Sequence, residues 1–389
     1  MKNKTKIAVV SAKRSAVGKI PGGLNFIDDV TLMSEIIKCI VKGYDNYIDE
    51  IIIGSSFPVE RDNLARKALL KSGLSPEIPA YVVSKTCASS DEALICACNK
   101  IMAGNAKAVL VGGIEKVSNS AHTLAVMKDK IKKSMKNLLP SLESVKLTMN
   151  ENDMTYISEI ISEKYSISRR LQDEYAYESY LRAMRAQRQN LFLSEIIPIT
   201  YKFNEDILTV KSDEMLDESK TWSQIAEALP MFISKGTLTF QNSAPMGDCS
   251  AAIFVMDYEY LKSEGIRPLL SVCDYVSIGV DKNKFGQAMA EAVKRLLHNN
   301  KLTKNDIGLY EINDSFASQL IFTSNILGLD MDRVNVNGGN ITLGYPIGTT
   351  GMRMSVTLIH EMLRRGAEFG ISVMCAGGNM ADAVLFRLL

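Results

Sequence analysis

Two stretches far apart in the chain follow one plan. Gly104-Asn-Ala-Lys-Ala-Val-Leu-Val-Gly-Gly113 and Gly366-Ala-Glu-Phe-Gly-Ile-Ser-Val-Met-Cys-Ala-Gly-Gly378 each run from a helix-stopping glycine, through a short strand, to a Gly-Gly pair. Self-similarity of this kind predicts two copies of one α/β unit. The flanking pattern agrees. Residues 6–11, 50–54, 80–84 and 106–112 read as strands, and 31–43 and 89–104 as helices. Later in the chain, 268–279, 307–313 and 370–378 read as strands, and 286–299 and 350–366 as helices. Short, continuous apolar strands alternating with helices imply parallel βαβ units covered on both faces.

The middle third breaks this grammar. It is rich in Lys, Glu, Met, Ser and Tyr, with a helix predicted over 169–190 capped by Ser168 and a shorter one over 221–229. A length of 389 residues fits two or three domain-sized units. The division expected is 1–118 and 246–389 as α/β halves around an inserted loop or lid domain, 119–245. Long insertions in α/β enzymes commonly cover a site, and a plain connecting subdomain is the alternative.

A net charge of +1 provides no global field for nucleic acid or anionic membrane. The basic cluster at 128–133 reads as solvated surface. The apolar run at 7–11 is too short for a signal peptide, and no run reaches the ~18 residues of a membrane span. Seven unevenly spaced cysteines in a long chain suit free thiols in a reducing compartment, so a cytoplasmic protein is expected. Cys96 and Cys98 lack a partner pair and read as helix core, so no metal is expected.

Lys85-Thr-Cys87-Ala-Ser-Ser90 joins a strand to a helix, which puts Cys87 near a helix N-terminus, where the dipole favours a thiolate. A thiolate suits attack on a thioester carbonyl; a small buried hydrophobe is the plainer reading of the same residue. The glycine-rich loop 337–351 permits close backbone approach but lacks the phosphate-loop lysine. Cys375 and Asn313, like Cys87, follow strands, and parallel sheets place ligands beyond strand carboxyl ends. Of the three histidines, His298 and His360 read as helix surface or packing, and His122 is a poor candidate for catalysis.

Taken together, these motifs resemble the thiolase family, which makes or cleaves 3-ketoacyl-CoA. The similarity runs from the nucleophile segment 85–118, through the loop-domain helix beginning Ile167-Ser168-Arg169, to Asn313–Ala317, Gly338–Gly351 and Cys375-Ala-Gly-Gly378. It implies an α/β thiolase fold, with duplicated βαβ halves in five αβαβα layers. It also implies an acyl-enzyme on Cys87, with Cys375 as the acid/base for Claisen chemistry and Asn313 holding a water in one oxyanion site. The backbone of Gly377 would serve a second oxyanion site. Met154, Phe232, Ala244, Phe316 and Ala317 would line the place of a coenzyme A thioester, which is substrate and not a resident cofactor. A homodimer or homotetramer is implied as well.

Several positions depart from the family pattern. Tyr345 stands where the motif has a histidine; with a reference pKa near 10 it is a poor base at pH 7, but its hydroxyl can still donate. Asp153 and Asp217 stand where a His and an Arg are expected, Ala244 replaces a serine, and Asn379 and Ala381 interrupt the terminal glycines. Two readings follow: a diverged, active acyltransferase, or a non-catalytic homologue acting as a subunit or binding protein. A decarboxylating ketoacyl synthase would want two histidines near the site.

Overall fold

Pleat parity sorts the side chains of this protein into layers. The computed structural model describes residues 6–57, 62–119, 154–281, 284, 286–377 and 379–389, so His122, Asp153 and the 128–133 cluster lie outside the described residues. The first run comprises β1 (Ile7–Arg14), α1 (Asp29–Ile40), β2 (Glu50–Gly54), α2 (Leu64–Ser72), β3 (Ala80–Val83), α3 (Ser89–Met102) and β4 (Ala108–Glu115). An intervening region holds α4 (Met154–Lys164), α5 (Arg169–Arg188), β5 (Ile199–Phe203), β6 (Asp206–Val210) and α6 (Trp222–Ala226). The remainder is β7 (Cys249–Asp257), α7 (Tyr258–Ser263), β8 (Leu270–Gly279), α8 (Ala288–Asn300), β9 (Leu309–Ile312), α9 (Ala317–Leu327), α10 (Asn340–Leu343), α11 (Thr350–Arg365), β10 (Phe369–Ala376) and β11 (Met380–Leu388).

The strand order is β3-β2-β4-β7-β1-β8-β11-β10-β9. β2 pairs in parallel with β3 and β4, and β9 with β10, while the inner strands are antiparallel. The two half-sheets therefore mirror one another, joined by a short β1–β8 pairing at Ile7, Ala8 and Val9. β7 lies between β4 and β1, so the strand that follows the insert completes the first half-sheet and not the second.

Along β4, Ala108 and Leu110 pack with α1 and α2, whereas Val109 and Val111 turn to a cluster containing Leu94 of α3 and Val356 of α11. The same inner cluster holds Val272 of β8 and Leu309 of β9. On β10, Ile371, Val373 and Cys375 face α8 and α9, while Met374 meets Ala88 and Met354. Helices α3 and α11 thus form a central layer between the half-sheets, giving αβαβα. Strands buried on both faces are apolar along most of their length, which is why they read as near-continuous runs.

Ser168 caps α5 by accepting from Leu171 N at 3.2 Å, and Thr221 caps the short α6 with Gln224 in a reciprocal box. The intervening region is tied to β1 by the fully buried Arg14, whose guanidinium grips Asp213 at 2.7 and 2.9 Å and Glu195 at 2.8 Å. No helix among the described residues is long and apolar enough to cross a membrane.

Candidate active site

The turn from β3 to α3 is built around Thr86, whose φ of 49° is left-handed. For a β-branched residue this costs of order 1–3 kcal/mol, and such strain persists only where the surroundings impose it. Here the Thr86 carbonyl accepts from Ser89 N at 3.1 Å, from Ser89 Oγ at 2.6 Å and from Ser56 Oγ. Lys85 anchors the turn to the other half of the molecule, with Nζ 2.7 Å from Asp382 of β11 and 2.6 Å from Ser277 of β8. The sharp elbow leaves Cys87 partly exposed just ahead of the helix.

Its thiol does not have the lowered pKa expected from the helix terminus. Burial pushes it above the ordinary value, and a hydrogen bond from Tyr345 pulls it partly back. The negative charge of nearby Glu115 pushes it up further. Desolvation outweighs the helix end because Cys87 sits beneath the glycine-rich loop and not in open solvent. Glu115, at the end of β4, is itself pushed up to about 7 by burial. Its carboxylate accepts from Ser56 N and Gly348 N at 2.9 Å and from Phe57 N at 3.1 Å. A Cβ at position 348 would lie 2.6 Å from Glu115 Oε2, so this clamp needs glycine there.

Cys375 comes from the other half. It is buried, and burial together with the neighbouring Cys87 pushes its thiol up to about 12. Asn313 Nδ2 donates to Cys375 Sγ at 2.9 Å and to Ser315 Oγ at 2.6 Å. Asn313 Oδ1 accepts from Asn340 Nδ2 at 2.8 Å, and Asn340 Oδ1 from Arg353 at 2.5 Å. Both N–H donors of Asn313 are thus committed, so the side chain expected to hold a water instead orients a thiol and a hydroxyl. Gly377 differs in the same way: its N–H donates to Thr86 Oγ1 at 3.2 Å instead of standing open as an oxyanion donor. Tyr345 hydrogen-bonds Cys87 and Ser315 and also senses Cys375; burial and both sulfurs hold its hydroxyl well above the ordinary tyrosine value. It is a donor here, not a base.

The remaining sequence candidates divide into three groups. Met154 lines a narrow cavity with Cys375, Met289, Gln319 and Met380, and Gln319 Nε2 has no partner there among the described residues. Ala244, Phe316 and Ala317 come together where Ser243 bridges Phe316 and Ala244 N donates to Ser315 O at 2.8 Å; Ala317 itself is fully buried. Phe232 is partly buried ahead of Thr237, which Glu159 of α4 holds through N and Oγ1 at 3.0 and 2.8 Å. Asp217 is exposed and caps Ser219. His298 is exposed at the end of α8, and His360 bridges Ser194 and Ala12 O at 2.9 Å, remote from both thiols in its contacts.

The two halves match, in turn, the thiolase N-terminal domain over residues 7–259 and the thiolase C-terminal domain over 266–388. This chain belongs to the thiolase family. An acetyl-CoA acetyltransferase of Cupriavidus necator is 34% identical, with 98% of each chain covered. A 3-ketoacyl-CoA thiolase of Bacillus subtilis is 33% identical, again over 98% of both. Among solved structures, the Bacillus anthracis acetyl-CoA acetyltransferase superposes with a TM-score of 0.90 at 30% identity over 99% of both chains. Human mitochondrial 3-ketoacyl-CoA thiolase gives 0.88 at 27%, also over 99% of both chains.

Within this thiolase, three residues of the site were not singled out by sequence. Ser315 lies inside the Asn313–Ala317 motif and was readable as a hydroxyl on a strand-end loop. Glu115 and Asn340 lie inside quoted motifs too, but only their partners across the chain give them a role.

Proposed function

We propose that this thiolase forms or cleaves a 3-ketoacyl thioester through an acyl-enzyme on Cys87, with Cys375 handling the α-proton. The observation that carries it is the meeting of two thiols, one from each half, around the Tyr345 hydroxyl. Two thiolates this close repel, so one ionises first. Cys87 is the better candidate: it accepts a hydrogen bond from Tyr345 and is partly exposed, whereas Cys375 is buried with its thiol near 12.

In the forward order, Cys87 attacks the thioester carbonyl, and Cys375, still protonated, gives its proton to the departing sulfur. The Cys375 thiolate left behind removes an α-proton from the second acyl group, whose carbanion attacks acyl-Cys87. Coenzyme A thioesters are the natural substrates to try, given the names of the relatives, and an assembly of two or four copies remains part of the proposal. Intact-mass spectrometry after mixing with acetyl-CoA tests this. One acetyl increment is expected in the wild type and in Cys375→Ala, and none in Cys87→Ala; an unmodified wild type, or an adduct that survives Cys87→Ala, refutes it.

A further inference from the structure

Cys375 has an access problem. It is buried, and its polar neighbours are the amides of Asn313 and Gln319 and the hydroxyl of Ser315. Amides orient a thiol but do not readily pass protons; a hydroxyl both accepts and gives one. Ser315 Oγ already accepts from Asn313 Nδ2 at 2.6 Å, which leaves its own proton free to turn. That proton reaches either the Cys375 sulfur or the Tyr345 oxygen, and Tyr345 in turn donates to Cys87.

We propose that Ser315 and Tyr345 form a two-hydroxyl relay through which buried Cys375 exchanges its proton with Cys87. This rests on the two-thiol reading above. The step balances without a co-reactant. Cys375 S–H gives its proton to Ser315 Oγ, the Ser315 proton moves to Tyr345 Oη, and the Tyr345 proton moves to Cys87 Sγ. Both hydroxyls are regenerated, and the negative charge has moved from Cys87 to Cys375. Run in reverse in the free enzyme, where Cys87 is not acylated, the same path returns the proton to Cys375 and the charge to Cys87, the state from which acylation starts. The Arg353–Asn340–Asn313 ladder behind it, all fully buried, fixes the Asn313 amide so that its nitrogen faces Ser315. Glu115 is the charged group that acts on Cys87 from β4, and the two sulfurs and Tyr345 are the ionisable groups that face one another.

Ser315→Ala and Ser315→Thr, assayed on the full chain with acetoacetyl-CoA and free coenzyme A, test the relay. Turnover at pH 7 is expected to fall about 10²-fold in Ser315→Ala and to stay within about tenfold of wild type in Ser315→Thr. In Ser315→Ala the residual rate should rise in proportion to hydroxide, because solvent then has to service Cys375. A single acetylation of Cys87 should persist, since it uses the proton already on Cys375. The relay is overturned if Ser315→Ala turns over within about threefold of wild type with a parallel pH profile. It is equally overturned if Ser315→Thr is as slow as Ser315→Ala, which marks a packing role. A wild type that takes up no acetyl group would instead refute the underlying two-thiol reading.

Discussion

Replacing Glu115 with glutamine separates two things its carboxyl does: holding three backbone segments and opposing ionisation of Cys87. Burial holds this carboxyl at about 7 in place of an ordinary 4.5, which corresponds to about 3 kcal/mol. The folded value is the higher one, so the folded state keeps a proton that the unfolded chain has lost. The associated stability is full below pH 4.5 and is lost as pH rises through about 7. Glutamine does not titrate. Its oxygen can replace Oε2 toward Ser56 and Gly348, but its NH2 then faces the N–H of Phe57, donor against donor. That mismatch costs roughly 1–3 kcal/mol at every pH. Urea unfolding of Glu115→Gln and wild type at pH 5, 6, 7 and 8 should therefore show a wild-type advantage that shrinks by about 2.5 kcal/mol across the series and closes or reverses by pH 8. In parallel, Cys87 should be alkylated faster by iodoacetamide at pH 8 in the variant, because a negative neighbour has been removed. A wild-type advantage that stays constant or grows, or a Cys87 that reacts more slowly, would refute the reasoning.

Two further predictions concern packing between layers and between regions. Gly351→Ala puts a methyl 1.6 Å from Asp91 Oδ2, where α11 crosses α3, so the central layer has to open; a loss of about 1–3 kcal/mol or more should appear as a lower melting temperature, and an unchanged one would contradict the contact. Arg14→Met leaves Asp213 and Glu195 buried without their cation, and should cost roughly 3–5 kcal/mol and expose the 195–213 segment to limited proteolysis; resistance equal to wild type would argue against the tie.

The scaffold was legible in the sequence because its constraint is local. A strand covered on both faces is apolar at nearly every position, and β2, β4 and β10 announce themselves in that way, with buried Glu50, Glu115 and Ser372 as the exceptions. Ser168 was readable as a cap because a cap is satisfied within three residues, whereas Thr221, read as the first residue of a longer helix, proved to cap a short one. Pairing partners were not readable. Nothing in Cys249–Asp257 says that it inserts between β4 and β1, since register and order are set by contacts distant in the chain. The site followed the same rule. Cys87 and Cys375 could be found from their strand-end positions, but the donors committed by Asn313 and Gly377 depend on Ser315 and Thr86, whose hydroxyls are positioned by the folded chain. The Cys87 pKa was misjudged for a related reason: the helix end is visible in sequence, whereas desolvation by a loop more than 250 residues away is not.

The contribution of one sulfur by each repeat has a consequence beyond chemistry. Either half alone holds one of the two sulfurs. In the proposed reaction, coupling of acyl capture to proton transfer is therefore a property of the mutual alignment of the halves, held by the α3–α11 layer and by Lys85 reaching to Asp382. A lesion that loosens this alignment without melting either unit should leave a protein that still captures one substrate and stalls there.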